Sequence, residues 1–484
     1  MNTTELANVA EVLMKELSAG DRNGVKHSLE AAFAPEAFER RSLDQVQASL
    51  EEVLALSGGL EIALLRAEPH IVQALLTTKQ AIGDFRGVNA RRTMYFEAEI
   101  APAGAAQAGK INGFALLAVP PASLEAEMKF ADTLTDESSA VDEIRLKLDG
   151  LAEQDLFSGT VIVARGDEVL WQAAYGDAEK NHQSPNTMHS RFHMASATKM
   201  FTAVAVAQLV EAGKLGFDSR LIEAWPDYPN RPVAEKITIG QMLTHTSGLG
   251  EGLTPQIQKP DTPYRTLQDA IAVNAGAPLV FEPGSKWGYS NLGYMVLGRI
   301  IELLANASYE ATIEKDILVP AGMMETENID VTRVVPGLAV GYGRQADDPL
   351  GIRERHSNWP LILGFRGTSA GGYYSTAPDM LKFMRALRTY RLLSREMSET
   401  VTTGKYRLSP TSQWAYGGWE HSWNGKSIRG NGGGGLGYGI NTEANTIWTP
   451  EGEESDWTMI MLSNYDPPVT QDFSQAALRY LALR

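Results

Sequence analysis

A serine and a lysine lie three residues apart at the start of an apolar stretch, HMASATKMFTAVAVAQLV, residues 193–210. The apolar spacing predicts a helix over 196–213, and residues i and i+3 share one face of a helix, so the Ser196 hydroxyl and the Lys199 amine can touch. An amine buried among apolar side chains has a lowered pKa, which suits it to accept a proton near neutral pH. The pair therefore indicates a serine nucleophile activated by a lysine. The alternative is a capping serine beside a lysine that reaches solvent.

A tyrosine and an asparagine precede a second predicted helix in FEPGSKWGYSNLGYMVLGRIIE, residues 281–302. The helix is predicted over 292–305, which leaves Tyr289 and Asn291 on the loop before it. A tyrosine aimed at a serine can relay its proton, and an asparagine amide can hold a substrate carbonyl or a lysine. In the alternative interpretation, Asn291 caps the helix and Tyr289 packs beneath the loop.

Glycines crowd a third segment, RGNGGGGLGYGINTE, residues 429–443. Four in a row at 432–435 are too flexible for an ordinary strand interior, so they predict a place where another group approaches the backbone closely. A substrate carbonyl lying against an exposed N–H group there would find an oxyanion hole. A flexible loop is the alternative.

SATK, YSN and a glycine-rich third segment, in this order, resemble the serine β-lactamase and penicillin-binding-protein superfamily, and most of all its class C and esterase branch. LTHTSGLG (243–250), FEPGSKWGYSNLGY and SAGGYYSTAPDMLKFM resemble companion segments of that branch, so the resemblance runs from about residue 150 to the end. It implies that Ser196 is the acylated nucleophile and Lys199 its activating partner. It also implies that Tyr289 is the general base or proton relay, and that Asn291 contacts substrate and lysine.

The third motif departs from the pattern of the superfamily. That motif reads K-T-G or H-x-G on an edge strand, whereas this chain has Asn431-Gly432-Gly433. A neutral asparagine supplies no positive charge to a substrate carboxylate, so an uncharged ester or amide fits better than a β-lactam or a peptidoglycan stem. By position, the resemblance implies that Asn431 and Gly433 lie beside the substrate and that the N–H groups of Ser196 and Gly434 form the oxyanion hole.

Other signals compete for the catalytic role. Residues 367–371 read G-x-S-x-G, which would make Ser369 the nucleophile of an α/β-hydrolase elbow. No helix is predicted to begin at Ser369, however, because the next helix cap is at Thr376. We therefore interpret the segment as a loop near the pocket. His245 is expected to bond nearby backbone at a helix end, and His193 to be a structural donor. The histidines show no metal-site spacing, and neither a metal nor a cofactor is expected.

The chain length of 484 residues predicts two domains. We expect an N-terminal α+β domain at 1–120, a linker at 121–138 and a hydrolase domain at 139–484. AAFAPEAF (31–38) and the helices and strands around it resemble NTF2-like domains, which implies a homodimer through this part. Its helices and strands are predicted at 4–18, 42–56, 71–78, 91–100 and 110–119.

The hydrolase domain is predicted to have strands near both of its ends and helices between them, which predicts one sheet assembled from distant pieces. With the resemblance, the expected fold class is α+β, a β-lactamase-like antiparallel sheet flanked by helices and joined to a helical lobe. The strands are predicted at 159–176 (a hairpin), 427–430, 438–443, 445–449 and 457–464. The helices that follow the nucleophile are predicted at 238–245, 292–305, 376–390 and 471–483.

Composition limits the partners and the chemistry. A formal net charge of −16 disfavours nucleic acid and anionic membranes, and the absence of cysteine excludes disulfides and thiolate chemistry. The first twenty residues carry three glutamates and predict an amphipathic helix rather than a signal peptide, and no stretch is apolar enough to span a membrane. We therefore expect a cytoplasmic protein whose partner is a small ester or amide.

Taken together, these patterns predict a serine hydrolase that forms an acyl-enzyme on Ser196 and acts as a carboxylesterase on uncharged acyl substrates. One alternative on the same fold is a β-lactamase or D-amino-acid peptidase. A second alternative is a protein that retains the site for binding or sensing without turnover.

Overall fold

The computed structural model describes most of the chain after residue 135 and parts of what precedes it. The described residues are 50–51, 53–56, 60–68, 71–80, 82–83, 89–90, 93–100, 111–119, 128–130, 136–252, 264, 266–330, 332–343, 355–357, 366–435, 438–449 and 452–483. Two compact units make up the chain, residues 1–126 with 344–356 and residues 127–343 with 357–484.

The first unit contains a four-stranded antiparallel sheet in the order β1-β2-β5-β6. Its strands are β1 (Leu60–Glu68), β2 (Ile71–Thr78), β3 (Ile82–Gly83), β4 (Asn89–Ala90), β5 (Thr93–Ile100) and β6 (Ile111–Val119). The three strands predicted here are confirmed. β1 was not predicted, because its sequence LEIALLRAE consists largely of strong helix formers. Pairing with β2 overrides that helix preference.

Residues 50–51 and 53–56 are helical, inside the helix predicted at 42–56. The helix predicted at 4–18 and the segment 31–38 lie outside the described residues.

The strands that follow along the chain are β7 (Gly159–Arg165), β8 (Glu168–Tyr175), β9 (Asp177–Glu179), β10 (Ser184–Pro185), β11 (Phe192–His193), β12 (Tyr342–Gly343), β13 (His356–Ser357), β14 (Tyr374–Ser375), β15 (Tyr406–Arg407), β16 (Ser412–Trp414), β17 (Trp419–Trp423), β18 (Lys426–Gly435), β19 (Ile440–Trp448) and β20 (Trp457–Ser463). Eight of them form one antiparallel sheet in the order β15-β16-β17-β18-β19-β20-β7-β8. The predicted sheet from distant pieces is confirmed, because the early hairpin β7-β8 joins the late strands through β20.

The helices of the second unit are α1 (Glu137–Glu153), α2 (Lys199–Glu211), α3 (Leu221–Ala224), α4 (Arg231–Ala234), α5 (Ile239–Leu243), α6 (Leu267–Ala272), α7 (Asn291–Ala305), α8 (Tyr309–Ile313), α9 (Val319–Ala321), α10 (Ala377–Arg388), α11 (Arg395–Thr402) and α12 (Val469–Leu481). A 3₁₀ turn, Ala195–Thr198, precedes α2. Among the described residues, no helix combines the length and the apolarity that a bilayer crossing would need.

Helices packed on the large sheet and helices packed on one another surround the residues around Ser196. Every residue of β19 and of β20 is buried, because α10 and α12 cover these strands. In the helical part, α2 is buried almost all round and α7 packs against it. A helix that is apolar all round belongs inside a protein, so α2 anchors its first residue, Lys199, in the core.

Two sequence predictions near the nucleophile are wrong in detail. Ser196 lies in the 3₁₀ turn, and α2 begins only at Lys199. The glycine tract is the last part of β18 and pairs with β19 through Gly435, so a strand interior does accommodate it. Backbone pairing needs no side chains. β17 pairs with β18 as far as Gly430, and beyond that point the 3₁₀ turn packs on β18.

Candidate active site

The backbone that carries Ser196 turns sharply between β11 and α2. Ala195 has a φ of +41°, in the left-handed region, and its N–H donates to His193 Nδ1 over 3.1 Å. Lys199 Nζ lies 3.2 Å from Ser196 Oγ. The i, i+3 spacing therefore brings hydroxyl and amine together although the α-helix starts later than predicted.

The Lys199 ammonium group has no access to solvent. Its Nζ donates to Asn291 Oδ1 over 2.7 Å and to the Ala370 carbonyl over 2.5 Å. Burial lowers the pKa of Lys199 to about 7, although the negative charge of Glu251 acts to raise it. A neutral amine has two N–H groups and one lone pair. In the neutral form of the amine these two acceptors would take both N–H groups and leave the lone pair for the Ser196 hydroxyl.

Tyr289 approaches the same oxygen from a remote loop. Its Oη donates to Ser196 Oγ over 2.8 Å, and its ring centre lies 4.8 Å from Lys199 Nζ. Burial raises the pKa of Tyr289, although the hydrogen bond to Ser196 acts in the opposite direction. The phenol therefore keeps its proton at neutral pH and acts as a donor.

Asn291 is the first residue of α7 and not its cap. The Ser290 side chain caps the helix by accepting from Gly293 N–H over 2.9 Å, so the interpretation of Asn291 as the cap is wrong. The Asn291 amide is thereby free to point inward, where its Nδ2 donates to the Glu251 carboxylate. Asn291 thus links that carboxylate to Lys199.

The G-x-S-x-G segment contacts the lysine, and its serine is buried away from both solvent and Ser196. Ser369 is fully buried, and its hydroxyl donates to the Tyr294 carbonyl over 2.8 Å. The next residue, Ala370, presents the carbonyl that accepts from Lys199. Sequence reasoning placed this loop near the pocket but missed the Ala370 contact, because a backbone carbonyl leaves no signature in residue types.

Asn431 fastens the nucleophile turn to the sheet. Its Nδ2 donates to the Ser196 carbonyl over 3.0 Å and to the Gly417 carbonyl over 2.9 Å. Its Oδ1 accepts from Gly432 N–H over 2.9 Å. Both N–H groups of the amide are thus used inside the protein, and the side chain is 1% exposed.

The glycines after Asn431 permit a close contact between β18 and the nucleophile. A Cβ atom on Gly433 would lie 2.5 Å from Ser196 N, so the approach predicted at this tract is made by the nucleophile turn itself. Alternate N–H groups of a strand point to the same edge. Because Gly432 N–H turns toward the Asn431 side chain, Gly434 N–H faces that same edge, beside Ser196.

Two cavities of the second unit meet at Ser196, which lines both together with Tyr289 and Gly434. The first, of about 300 Å³, we name the tryptophan cavity; among its lining residues are Trp414, Trp419, Trp423, Glu443 and Arg479. The second, of about 360 Å³, we name the loop cavity; among its lining residues are Ala370, Gly371, Tyr438 and Ile440. A substrate with two arms can therefore place one arm on each side of the hydroxyl.

A family model described as "Beta-lactamase" matches residues 143–484, which is more than half of the chain. The chain belongs to the beta-lactamase family. This assignment covers the sheet, the helical part and all of the site residues described above. The NTF2-like resemblance of the first unit is not part of the match.

Curated relatives of this beta-lactamase-family chain include penicillin-binding proteins and an esterase. It is 31% identical to penicillin-binding protein 4* of Bacillus subtilis over 262 residues, which are 52% of this chain and 56% of that protein. It is 29% identical to esterase EstB of Burkholderia gladioli over 269 residues, which are 49% of this chain and 67% of that protein. The chain thus spans little more than half the length of the first of these relatives.

Solved structures match this member of the family over most of their length. A penicillin-binding protein from Bacillus halodurans has a TM-score of 0.59 at 27% identity, over 72% of this chain and 100% of that chain. A D-amino acid amidase from Ochrobactrum anthropi has a TM-score of 0.59 at 22% identity, over 71% of this chain and 99% of that chain. The second likeness concerns the fold alone.

The histidines of this beta-lactamase-family site are structural. His245 Nδ1 accepts from Ser290 N–H over 3.0 Å, and its ring packs 4.3 Å from the Tyr289 ring between centroids, which confirms the expected backbone contact. Burial lowers the pKa of His245 well below its usual value, so the ring is neutral. His193 Nδ1 accepts from Ala195 N–H, so at this atom the ring is an acceptor and not the expected donor. Among the described residues, no group of three His, Asp or Glu side chains is placed to hold a metal ion.

The closeness of Gly433 to Ser196 leads to a prediction. In a Gly433→Ala variant the new methyl group meets backbone that cannot move aside cheaply, so the nucleophile turn shifts. A misplacement of about 1 Å lowers kcat/KM about 100-fold. Steady-state kinetics with a p-nitrophenyl ester measures the loss, and circular dichroism verifies the fold. The control is Gly276→Ala, where a Cβ atom meets nothing within 4 Å; equal activity of the two variants would contradict the prediction.

Proposed function

We propose that this chain is a serine hydrolase that cleaves ester or amide bonds through an acyl-enzyme on Ser196, with carboxylic esters of uncharged acyl groups as its main substrates. One observation carries the proposal. The Ser196 Oγ atom stands 3.2 Å from Lys199 Nζ and 2.8 Å from Tyr289 Oη at the point where two cavities meet. A hydroxyl with a neutral amine and a phenol at hydrogen-bond distance is an activated nucleophile.

The proposed reaction begins when the neutral Lys199 amine takes the proton of Ser196 as Oγ attacks the substrate carbonyl carbon. The oxyanion that forms accepts from the N–H groups of Ser196 and Gly434, a contribution of roughly 3–4 kcal/mol per donor in other hydrolases. Tyr289 then gives its proton to the leaving group, and the proton held by Lys199 passes to the Tyr289 phenolate, which restores the phenol and the neutral amine. Water attacks the acyl-enzyme in the same way, which restores free Ser196.

The raised pKa of Tyr289 favours one of its two expected roles. A phenol that keeps its proton cannot start as the base, whereas Lys199, with a pKa of about 7, is partly neutral at physiological pH. We therefore assign Tyr289 as the proton relay and Lys199 as the base.

The contacts of Asn431 support an uncharged substrate. Both N–H groups of its amide are used by the Ser196 and Gly417 carbonyls, so it offers neither charge nor a free donor to a substrate carboxylate. Similarity to a relative named as an esterase points in the same direction.

A second candidate function, β-lactamase or D-amino-acid peptidase activity, is favoured by the similarity to penicillin-binding protein 4*. Three reagents separate the candidates. We expect burst kinetics and turnover with p-nitrophenyl butyrate, labelling by a fluorophosphonate, and no retention of a fluorescent penicillin. Covalent penicillin retention without ester turnover would support the second candidate. Absence of all three signals would support a binding or sensing protein.

Further expectations from the sequence remain proposals. We propose that residues 1–120 form an NTF2-like domain, that 121–138 form a linker and that 139–484 form the hydrolase domain. A homodimer through the first of these and a cytoplasmic location belong to the same proposal. Sedimentation of the full chain tests the dimer, and cell fractionation tests the location.

A further inference from the structure

One acidic side chain at the site has no part in the proposed reaction. Glu443, on β19, lines the tryptophan cavity and is 6% exposed. Its Oε2 accepts from Asn445 Nδ2 over 2.7 Å, and no described lysine, arginine or histidine forms an ion pair with it. Burial raises the pKa of Glu443 to about 8, and the charge of Asp472 acts in the same direction. A buried carboxyl without a cation is costly to the protein, which makes it a functional candidate.

The carboxyl of Glu443 lies directly beside the strand that borders the nucleophile. A Cβ atom on Gly432 would stand 2.0 Å from Glu443 Oε1. Any other residue at this place would displace the carboxyl, so the glycine in the middle of the third motif is what makes room for it. Sequence reasoning missed Glu443, but Asn441, Glu443 and Asn445 alternate along β19 and mark a polar face in a buried strand.

Tryptophan rings form other walls of the same cavity. Trp414 and Trp419 stand 4.6 Å apart between ring centres, and Arg479 lies over Trp423 at 4.9 Å. Indole faces attract cations, and an aromatic wall beside an acid is a typical receptor for an ammonium group. Arg479 is exposed, so water screens its positive charge. The raised pKa of Glu443 keeps its carboxyl largely protonated in the empty cavity, and a cation bound beside it would favour the ionised form.

We propose that the tryptophan cavity binds a positively charged, ammonium-bearing leaving group, with Glu443 as its counter-ion and the tryptophan rings as its walls. The proposal rests on the proposed hydrolase function and names the substrate class of that site, an ester of an uncharged acid with a cationic alcohol or thiol. The uncharged acyl group then occupies the loop cavity. A substrate carboxylate in the tryptophan cavity would meet no buried cation there, which adds to the effect of neutral Asn431.

A pair of substrates that differ only in charge tests the proposal on the wild-type chain. Butyrylthiocholine carries a quaternary ammonium, and 3,3-dimethylbutyl thiobutyrate has the same shape with a carbon in place of the nitrogen. We expect kcat/KM for the cationic thioester to exceed that for the neutral one by about tenfold or more, mainly through a lower KM. Equal values, or a preference for the neutral thioester, would overturn the proposal.

Charge-removing variants identify the residue responsible. In Glu443→Gln, the preference for the cationic thioester should fall to within about threefold, because the amide keeps the shape but not the charge. Glu168→Gln is the matched control, since it removes an exposed carboxylate of the edge strand β8, outside the cavity lining; its preference should stay within about twofold of wild type. An unchanged preference in Glu443→Gln would overturn the assignment.

Failure of this inference can be told apart from failure of the hydrolase proposal. Hydrolysis of the neutral thioester and labelling of Ser196 by a fluorophosphonate report on the hydrolase alone. If both occur without a preference for the cation, only the cation site is wrong. If neither thioester is hydrolysed and no label is incorporated, the proposed function itself is wrong.

Discussion

A Ser196→Ala variant is expected to lose at least about 10⁴-fold in kcat/KM toward p-nitrophenyl butyrate and all labelling by a fluorophosphonate. The physical reason is that Oγ is the atom that bonds to the acyl carbon. Without Oγ, Lys199 and Tyr289 have no hydroxyl to activate. Water must then attack the substrate directly, and it does so slowly even though the N–H donors still stabilise the oxyanion. Stopped-flow absorbance measures the burst, and intact-mass spectrometry measures the label.

The matched control for this variant is Ser369→Ala. Ser369 lies in the competing G-x-S-x-G segment, and its buried hydroxyl donates to a backbone carbonyl. Its loss is expected to lower the free energy of unfolding by about 1 kcal/mol while labelling persists. Labelling that survives in Ser196→Ala but disappears in Ser369→Ala would reverse the assignment of the nucleophile.

A Lys199→Met variant is expected to lose about 10²- to 10⁴-fold in kcat/KM, because methionine keeps the apolar stem and removes the base. The wild-type pH profile supplies a second readout. The neutral amine is the active form and the pKa of Lys199 is about 7, so activity falls as the pH drops through that value and levels off above it. In the variant, the small remaining activity should lack this limb, as measured from about pH 5.5 to 8.5.

The control for Lys199→Met is Lys214→Met, which removes an exposed lysine beyond the far end of α2. This variant should keep both the rate and the limb near pH 7. His245 cannot supply that limb, because burial holds its pKa well below the usual value. A Lys199→Met profile that still rises near pH 7 would mean that another group is the base.

Short-range patterns allowed much of the catalytic centre to be predicted. Ser196 and Lys199 share one helical turn whether that turn is 3₁₀ or α, because the spacing between them changes little. Tyr289 and Asn291 were identified from the three-residue motif before α7. The alternative interpretation placed the helix cap at Asn291 because serine and asparagine are both good caps. In the structure Ser290 is the cap, and Asn291 accepts from Lys199 instead.

Contacts made by backbone atoms or by distant strands could not be predicted. The Ala370 carbonyl reaches Lys199 across 171 residues of sequence. The glycine tract is a strand because β19 pairs with it, and composition alone argued against a strand. Glu443 becomes part of the site only through its register opposite Gly432. In each case the structure depends on contacts between residues that are far apart in the chain, and local sequence patterns do not reveal such contacts.

The meeting of two cavities at one hydroxyl has a consequence for how the proposed substrate selectivity can change. The tryptophan cavity takes most of its walls from β16, β17, β19 and α12, the walls of the loop cavity include the turn after residue 366, Tyr438 and Ile440, and β18 borders both. With the acyl group in the loop cavity and the leaving group in the tryptophan cavity, mutations in the walls of one cavity should change the selectivity for one part of the substrate and keep the selectivity for the other part. Evolution, or a laboratory library, can therefore recombine the two selectivities as independent modules around an unchanged reaction centre.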